Sequence, residues 1–286
     1  MNSILEIKNL SKEFPTFSLN KISFSLPGGC IMGMVGETGA GKTTTIKLIL
    51  NELHADSGEI KIFGLDLKEH ERKIKEQIGV VFDDAYFPSE FNAIHVNDML
   101  SHFFANWDKD LYETYLREFQ LPKEQKIKEF SKGMRMKLSL AAALSHHPKF
   151  LILDEATGGL DPVARNEILD LLLNFVQDEE HSILFSSHLT ADLERISDYM
   201  TYIHNGSILF SESKMELLES YGLVKCTQEE LEKINPDEIL GIRENLFGCE
   251  ALVKNRADML KQYPHLVIDP ASIEEIMIFW GRRQKK

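Results

Sequence analysis

The residues Gly36-Glu37-Thr38-Gly39-Ala40-Gly41-Lys42-Thr43 place glycines, a lysine and a hydroxyl at the spacing that a polyphosphate requires. Gly36, Gly39 and Gly41 let successive backbone N–H groups curl inward, and a helix opening at the lysine adds the positive end of its dipole. The Lys42 ammonium then reaches the β- and γ-phosphates, and the Thr43 hydroxyl can ligate Mg2+. A second cluster, Asp154-Glu155, closes the apolar run Phe150-Leu151-Ile152-Leu153. Acids at the carboxyl end of a strand in an open α/β sheet face the ligand crevice. Asp154 can therefore hold Mg2+, while Glu155 can orient or deprotonate an attacking water.

Chemistry of this kind depends on the elements that hold it. Cys30-Ile31-Met32-Gly33-Met34-Val35 is nearly all apolar, as a strand buried on both faces requires, and it runs directly into the glycine-rich loop. Apolar Ile46, Leu48, Ile49 and Leu50 predict a helix over residues 43–53. Residues 4–10, 21–26 and 58–64 alternate apolar and polar, as half-buried strands do, and residues 78–82 form another short strand. From about 85 to 148 the character turns helical, and Pro148 stops a helix predicted over 133–146. Strands at 150–153 and 182–186 then alternate with helices at 162–178 and 191–197, and Asn205-Gly206 reads as a hairpin turn. A distinct tail starts near Ser213, with a last helix at 271–280.

Composition sets limits on function. The chain has 286 residues, 43% apolar and 27% charged, which suits a globular protein of about two domains. Its formal charge of −13 argues against nucleic-acid binding through phosphate contacts. The longest apolar runs are five residues, far short of the roughly 20 that span a bilayer. Nothing at the N-terminus resembles a signal peptide, and Cys30, Cys226 and Cys249 lack metal-site spacing, which together suggest a reducing compartment without disulfides.

In this order, the motifs resemble those of the ATP-binding subunits of ABC transporters over roughly residues 4–212. The resemblance implies a P-loop NTPase core with a mostly parallel sheet, an antiparallel β subdomain, a helical subdomain at about 85–148, and a small α/β extension. The domains would be residues 1–212 and 213–286. ATP and Mg2+ would be held by Gly36, Gly39, Gly41, Lys42, Thr43 and Thr44. Phe14 sits where the family stacks an aromatic on adenine, with Phe17 as a rival. Gly158-Gly159-Leu160-Asp161 looks like the family's D-loop, with Asp161 reaching to a partner subunit, and His188 in Ser186-Ser187-His188 looks like its γ-phosphate switch. Glu155 and His188 would be the catalytic pair, and Thr43, Asp83 and Asp154 the metal ligands.

Two departures from the family pattern stand out. The signature Leu-Ser-Gly-Gly-Gln is Phe130-Ser131-Lys132-Gly133-Met134 here, keeping Ser131 and Gly133, which would meet a partner's γ-phosphate. The Lys132 side chain is expected to point to solvent. The glutamine that should follow residues 78–82 is Asp83, itself followed by Asp84. The resemblance further implies a transmembrane permease subunit as a separate chain, and a second nucleotide-binding subunit, identical or not. No nucleic acid is implied. The location would be peripheral, on the cytoplasmic face of the cell membrane, and the activity export of a substrate such as a peptide, as in Gram-positive antimicrobial-peptide export and self-protection. A soluble mechanical ATPase of the same superfamily and a small-molecule kinase are the alternatives; the first usually carries two such domains or basic surfaces, and the second needs neither Asp161 nor the Ser131–Gly133 helix start.

Overall fold

The computed structural model describes residues 3–83, 86–245 and 248–283, so Asp84 lies outside the described residues. The chain divides into two compact units, Met1–Phe210 and Ser211–Lys286.

The first unit begins with β1 (Ser3–Phe14) and β2 (Phe17–Pro27), paired antiparallel. Pro27-Gly28-Gly29 ends that pair and leads into β3 (Ile31–Val35), all five residues of which are buried. The glycine-rich loop follows, and then α1 (Lys42–Ile49), which stops short of the predicted residue 53. The cause is local: Asn51 adopts a left-handed φ of 54°, and the amides of Glu52 and Leu53 both turn back to the Lys47 carbonyl. Next come β4 (Ser57–Ile62) and β5 (Leu65–Asp66), which complete a four-stranded antiparallel sheet in the order β2-β1-β4-β5.

Helix α2 (Leu67–Lys75), capped by Asp66, leads to β6 (Ile78–Val81). A helical subdomain of α3 (Ala93–Phe103), α4 (Lys109–Glu118) and α5 (Lys132–Leu144) follows. Each of its helices opens on a side-chain cap: Asn92, Asp108 and Ser131 accept from the amides of His95, Leu111 and Met134. Val96, Tyr112, Leu116, Phe130, Leu138 and Ala141 form its own buried cluster, separate from that under the sheets.

The rest of the unit alternates strand and helix: β7 (Phe150–Asp154), α6 (Pro162–Phe175), β8 (Ser182–Ser186), α7 (Thr190–Ile196), β9 (Tyr199–His204) and β10 (Ser207–Ser213), the strand in which the division between units falls. The six-stranded sheet runs β10-β9-β3-β8-β7-β6, and β6, β7, β8, β3 and β9 pair in parallel. Because those strands share a direction, the chain leaves β3, β7 and β8 at the same edge. Register makes the alignment specific, with Ser186 opposite both Met34 and Asp154. A slip by one residue would turn Asp154 to the other face.

The second unit holds α8 (Lys214–Ser220), β11 (Tyr221–Cys226), α9 (Gln228–Leu231), β12 (Ile239–Asn245), β13 (Gly248–Lys254), α10 (Arg256–Gln262), β14 (Val267–Pro270) and α11 (Ile273–Arg283). Its antiparallel sheet, β12-β13-β11-β14, buries Val224, Ala251, Val253, Met259 and Ile268.

Candidate functional site

At the shared strand edge lies an open cleft of about 680 Å³, bordered by the glycine-rich loop and by the segments after β6, β7 and β8. Gly36 must lack a side chain, since a β-carbon there would stand 2.4 Å from the Ile203 carbonyl oxygen. Gly41 adopts a φ of 117°, a region that L side chains rarely enter. These two positions bend the chain tightly enough to start α1 at Lys42.

Lys42 is nearly buried, at 6% exposure, and its ammonium is held in the cleft. It donates to the Gly36 carbonyl at 2.8 Å and stands 3.4 Å from Glu155 Oε1. Glu155, just past β7, has a φ of 54°, which for a non-glycine residue outside any turn signal is a strained geometry. That backbone turn swings its carboxylate between Lys42 and His188, whose Nδ1–H donates to Glu155 Oε2 at 2.5 Å and whose amide donates to the same oxygen at 3.2 Å. Lys42, Glu155 and His188, distant in sequence, thus form one charged relay along the cleft.

Thr43, Thr44 and Asp83 also line the cleft, whereas Asp154 sits behind it, buried, and accepts from the Ser186 hydroxyl. Thr43, Asp83 and Asp154 together offer hard oxygen donors, and Mg2+ typically takes one or two carboxylates plus the phosphates of its substrate, so this donor set fits it.

Two sequence expectations change here. Phe17 lines the cleft and reaches within 3.0 Å of where a Gly41 β-carbon would be, while Phe14 is 37% exposed beside it, with ring centroids 6.3 Å apart. Lys132 does not point to solvent; it lines the cleft alongside Gly158 and Gly159. The sequence held no signal for this, because only the packing of α5 against α6, where Gly133 approaches Ala164, turns that side chain inward.

Ser131 and Gly133 stay at the start of α5, with Ser131 exposed and its oxygen accepting from the Met134 amide. Asp161 caps α6 by accepting from the amides of Ala164 and Val163, and those hydrogen bonds hold its carboxyl below the usual aspartate range. A supporting network escaped the sequence reading altogether. Asp192, 2% exposed on α7, accepts from the Thr157 hydroxyl at 2.7 Å and from the Arg165 guanidinium, tying the loop after β7 to both flanking helices. Nothing in residue type or spacing marks that triad.

The ABC transporter family profile matches residues 19–158. The chain is 31% identical to the bacitracin transport ATP-binding protein BcrA of Enterococcus faecalis, over 76% of this chain and 71% of that one. It is 30% identical to the ABC transporter ATP-binding protein YtrB of Bacillus subtilis, over 76% and 75% of the two chains. The protein belongs to the ABC transporter ATP-binding family. A solved ATP-binding subunit of an ABC transporter superposes with a TM-score of 0.67 at 26% identity, covering 75% of this chain and 92% of that one. The P-loop NTPase fold expected from the sequence is thus the observed one, and the protein is an ATP-hydrolysing subunit of an ABC transporter. Subunits of this kind dimerise and work with membrane-spanning permeases. Among the described residues no helix is long and apolar enough to cross a membrane.

Proposed function

We propose that this subunit binds ATP with Mg2+ in the cleft, pairs with a second nucleotide-binding subunit, and drives export of a peptide-like substrate through a separate transmembrane permease from the cytoplasmic face of the membrane. The observation that carries the reading is the convergence of Lys42, Thr43, Glu155 and His188 on one cleft. Lys42 exchanges its contacts with Gly36 and Glu155 for the β- and γ-phosphates, which frees the Glu155 carboxylate to orient the attacking water. His188 keeps that carboxylate in place and faces the terminal phosphate. Thr43, Asp83 and Asp154 are the residues that would hold Mg2+, which when bound neutralises charge on the phosphate oxygens. Phe17, with Phe14 beside it, supplies the aromatic surface for adenine.

Ser131 and Gly133, at the exposed start of α5, meet the partner subunit's nucleotide, and Asp161 lies at the same face. Closure excludes water, and hydrolysis reopens the pair. The permease docks between the Asp83 segment and the helical subdomain, and a half-open apolar groove of about 320 Å³ lined by Val80, Phe82, Phe87, Leu100 and Phe104 supports that placement. Export of a peptide is supported by the likeness to proteins named for bacitracin transport. Domain limits at 1–212 and 213–286 accord with a nucleotide-binding body followed by an accessory unit.

Glu155→Gln tests the site. The amide keeps the contacts of closure but cannot accept a proton, so ATP-Mg2+ should trap a stable dimer while turnover falls about 100-fold or more. Phosphate release at the wild-type rate would overturn the assignment.

A further inference from the structure

Two lysines line the cleft, and they are not equivalent. Lys42 is engaged by the Gly36 carbonyl and by Glu155. The half-buried Lys132 ammonium has no hydrogen-bond or ion-pair partner among the described residues. Its stem lies along the loop after β7: the β-carbon that Gly159 lacks would stand 3.3 Å from Lys132 Nζ and 3.7 Å from its Cδ. Gly159 has a φ of 69°, so glycine is required there twice, once for the turn and once for the lysine to pass. On the adjacent residue, a Gly158 β-carbon would stand 3.7 Å from the His188 ring. Two glycines therefore separate His188 from Lys132, and both side chains border the end of the cleft that holds Glu155.

An unpaired cation held half-buried at the hydrolytic end of a cleft, in a chain of net charge −13, needs an anion. We propose that Lys132 is a second cationic contact, supplied in cis, for the terminal phosphate of the nucleotide bound in its own chain's cleft. This rests on reading the cleft as the ATP site. ADP, which ends one phosphate earlier, leaves Lys132 without its partner, so the residue selects the triphosphate over the diphosphate. Ser131 and Gly133 remain outward for the neighbouring subunit, which gives this helix start one function in each direction.

The test is isothermal titration of Lys132→Ala, Lys132→Arg and Lys42→Ala with a non-hydrolysable ATP analogue and with ADP, each with Mg2+, at chain concentrations that light scattering shows to be monomeric. Loss of a charge-assisted contact predicts about tenfold weaker binding of the analogue to Lys132→Ala and less than about twofold for ADP. Lys132→Arg should recover most of the loss. Unchanged affinity for the analogue, an equal loss for both nucleotides, or a loss seen only in the dimer would overturn the proposal. Lys42→Ala separates the two readings: if it weakens both nucleotides while Lys132→Ala weakens neither, Lys132 alone is misassigned. If Lys42→Ala also binds both normally, the cleft is not the nucleotide site.

Discussion

The strand edge of the nucleotide core and the helical subdomain are built on opposite terms. At the strand edge, position is set by backbone: a φ of 117° at Gly41, a φ of 54° at Glu155, and a register that sets Asp154 opposite Ser186. Polar side chains there are left with contacts they can exchange, as Lys42 does with Gly36 and Glu155. In the helical subdomain, position is set by apolar side chains around Tyr112, Leu116 and Leu138, and the polar groups are spent on caps and surface pairs. The difference teaches where mutations should act. Changes at the strand edge should alter ligand binding with little loss of fold, and changes in the subdomain should do the reverse.

The largest expected effect breaks the subdomain. Leu138 on α5 is fully buried in its cluster, so Leu138→Ala should cost about 2–5 kcal/mol by lost burial and a cavity. Denaturant unfolding would read this. Nucleotide affinity of the chains that remain folded should change little, and a large affinity loss would erase the contrast between the regions.

Lys42→Ala should show the opposite profile. Losing the charge-assisted contact to phosphate should weaken ATP by about 1.5–3 kcal/mol, while the melting temperature stays close to that of the parent. Fluorescent-nucleotide titration beside thermal unfolding gives both numbers.

A smaller effect is expected at the entrance of α3. Asn92 accepts from the His95 amide at 3.0 Å, and the His95 ring accepts from the Asn92 amide in return. Asn92→Ala should cost about 1 kcal/mol of stability, read by denaturant unfolding, with ATPase activity retained.

The smallest effect sharpens the comparison through pH. His146, at the end of α5, is buried against Phe104, with ring centroids 4.0 Å apart, and burial lowers its pKa. Its Nε2 donates to the Ile78 carbonyl at 3.1 Å. Since the folded state binds the proton less readily than the unfolded chain, this contribution is complete above pH 6.5 and declines as pH falls below it. Glu90 behaves in the same direction lower down. Hydrogen bonds first from Lys126 and then from Lys128 bring its pKa from 4.5 to about 2, so its contribution is lost as pH falls through that window. Thermal unfolding at pH 7.5 and 5.5 should show a decline that His146→Asn removes, because the amide keeps a donor for Ile78 and cannot titrate. An unchanged decline in that variant would place its origin elsewhere.

Much of the fold and the nucleotide cradle could be read from sequence because their signals are local. A glycine needed for a positive φ, a lysine one residue into a helix, an apolar run on both faces of a strand, and an acid at its end are each fixed by neighbours in the chain. The capped helices were legible as helices for the same reason, though their ends were not: Asn51 and the chain reversal onto Lys47 cut α1 short at Ile49. Tertiary structure alone decided which of two phenylalanines faces the cleft, that Asp192 ties down the loop after β7, and that Lys132 turns inward. Each of those depends on elements far apart in sequence meeting at one angle and one register, α5 against α6 above all. Residue type and spacing set what a side chain can do, but only the packing of distant elements sets what it faces.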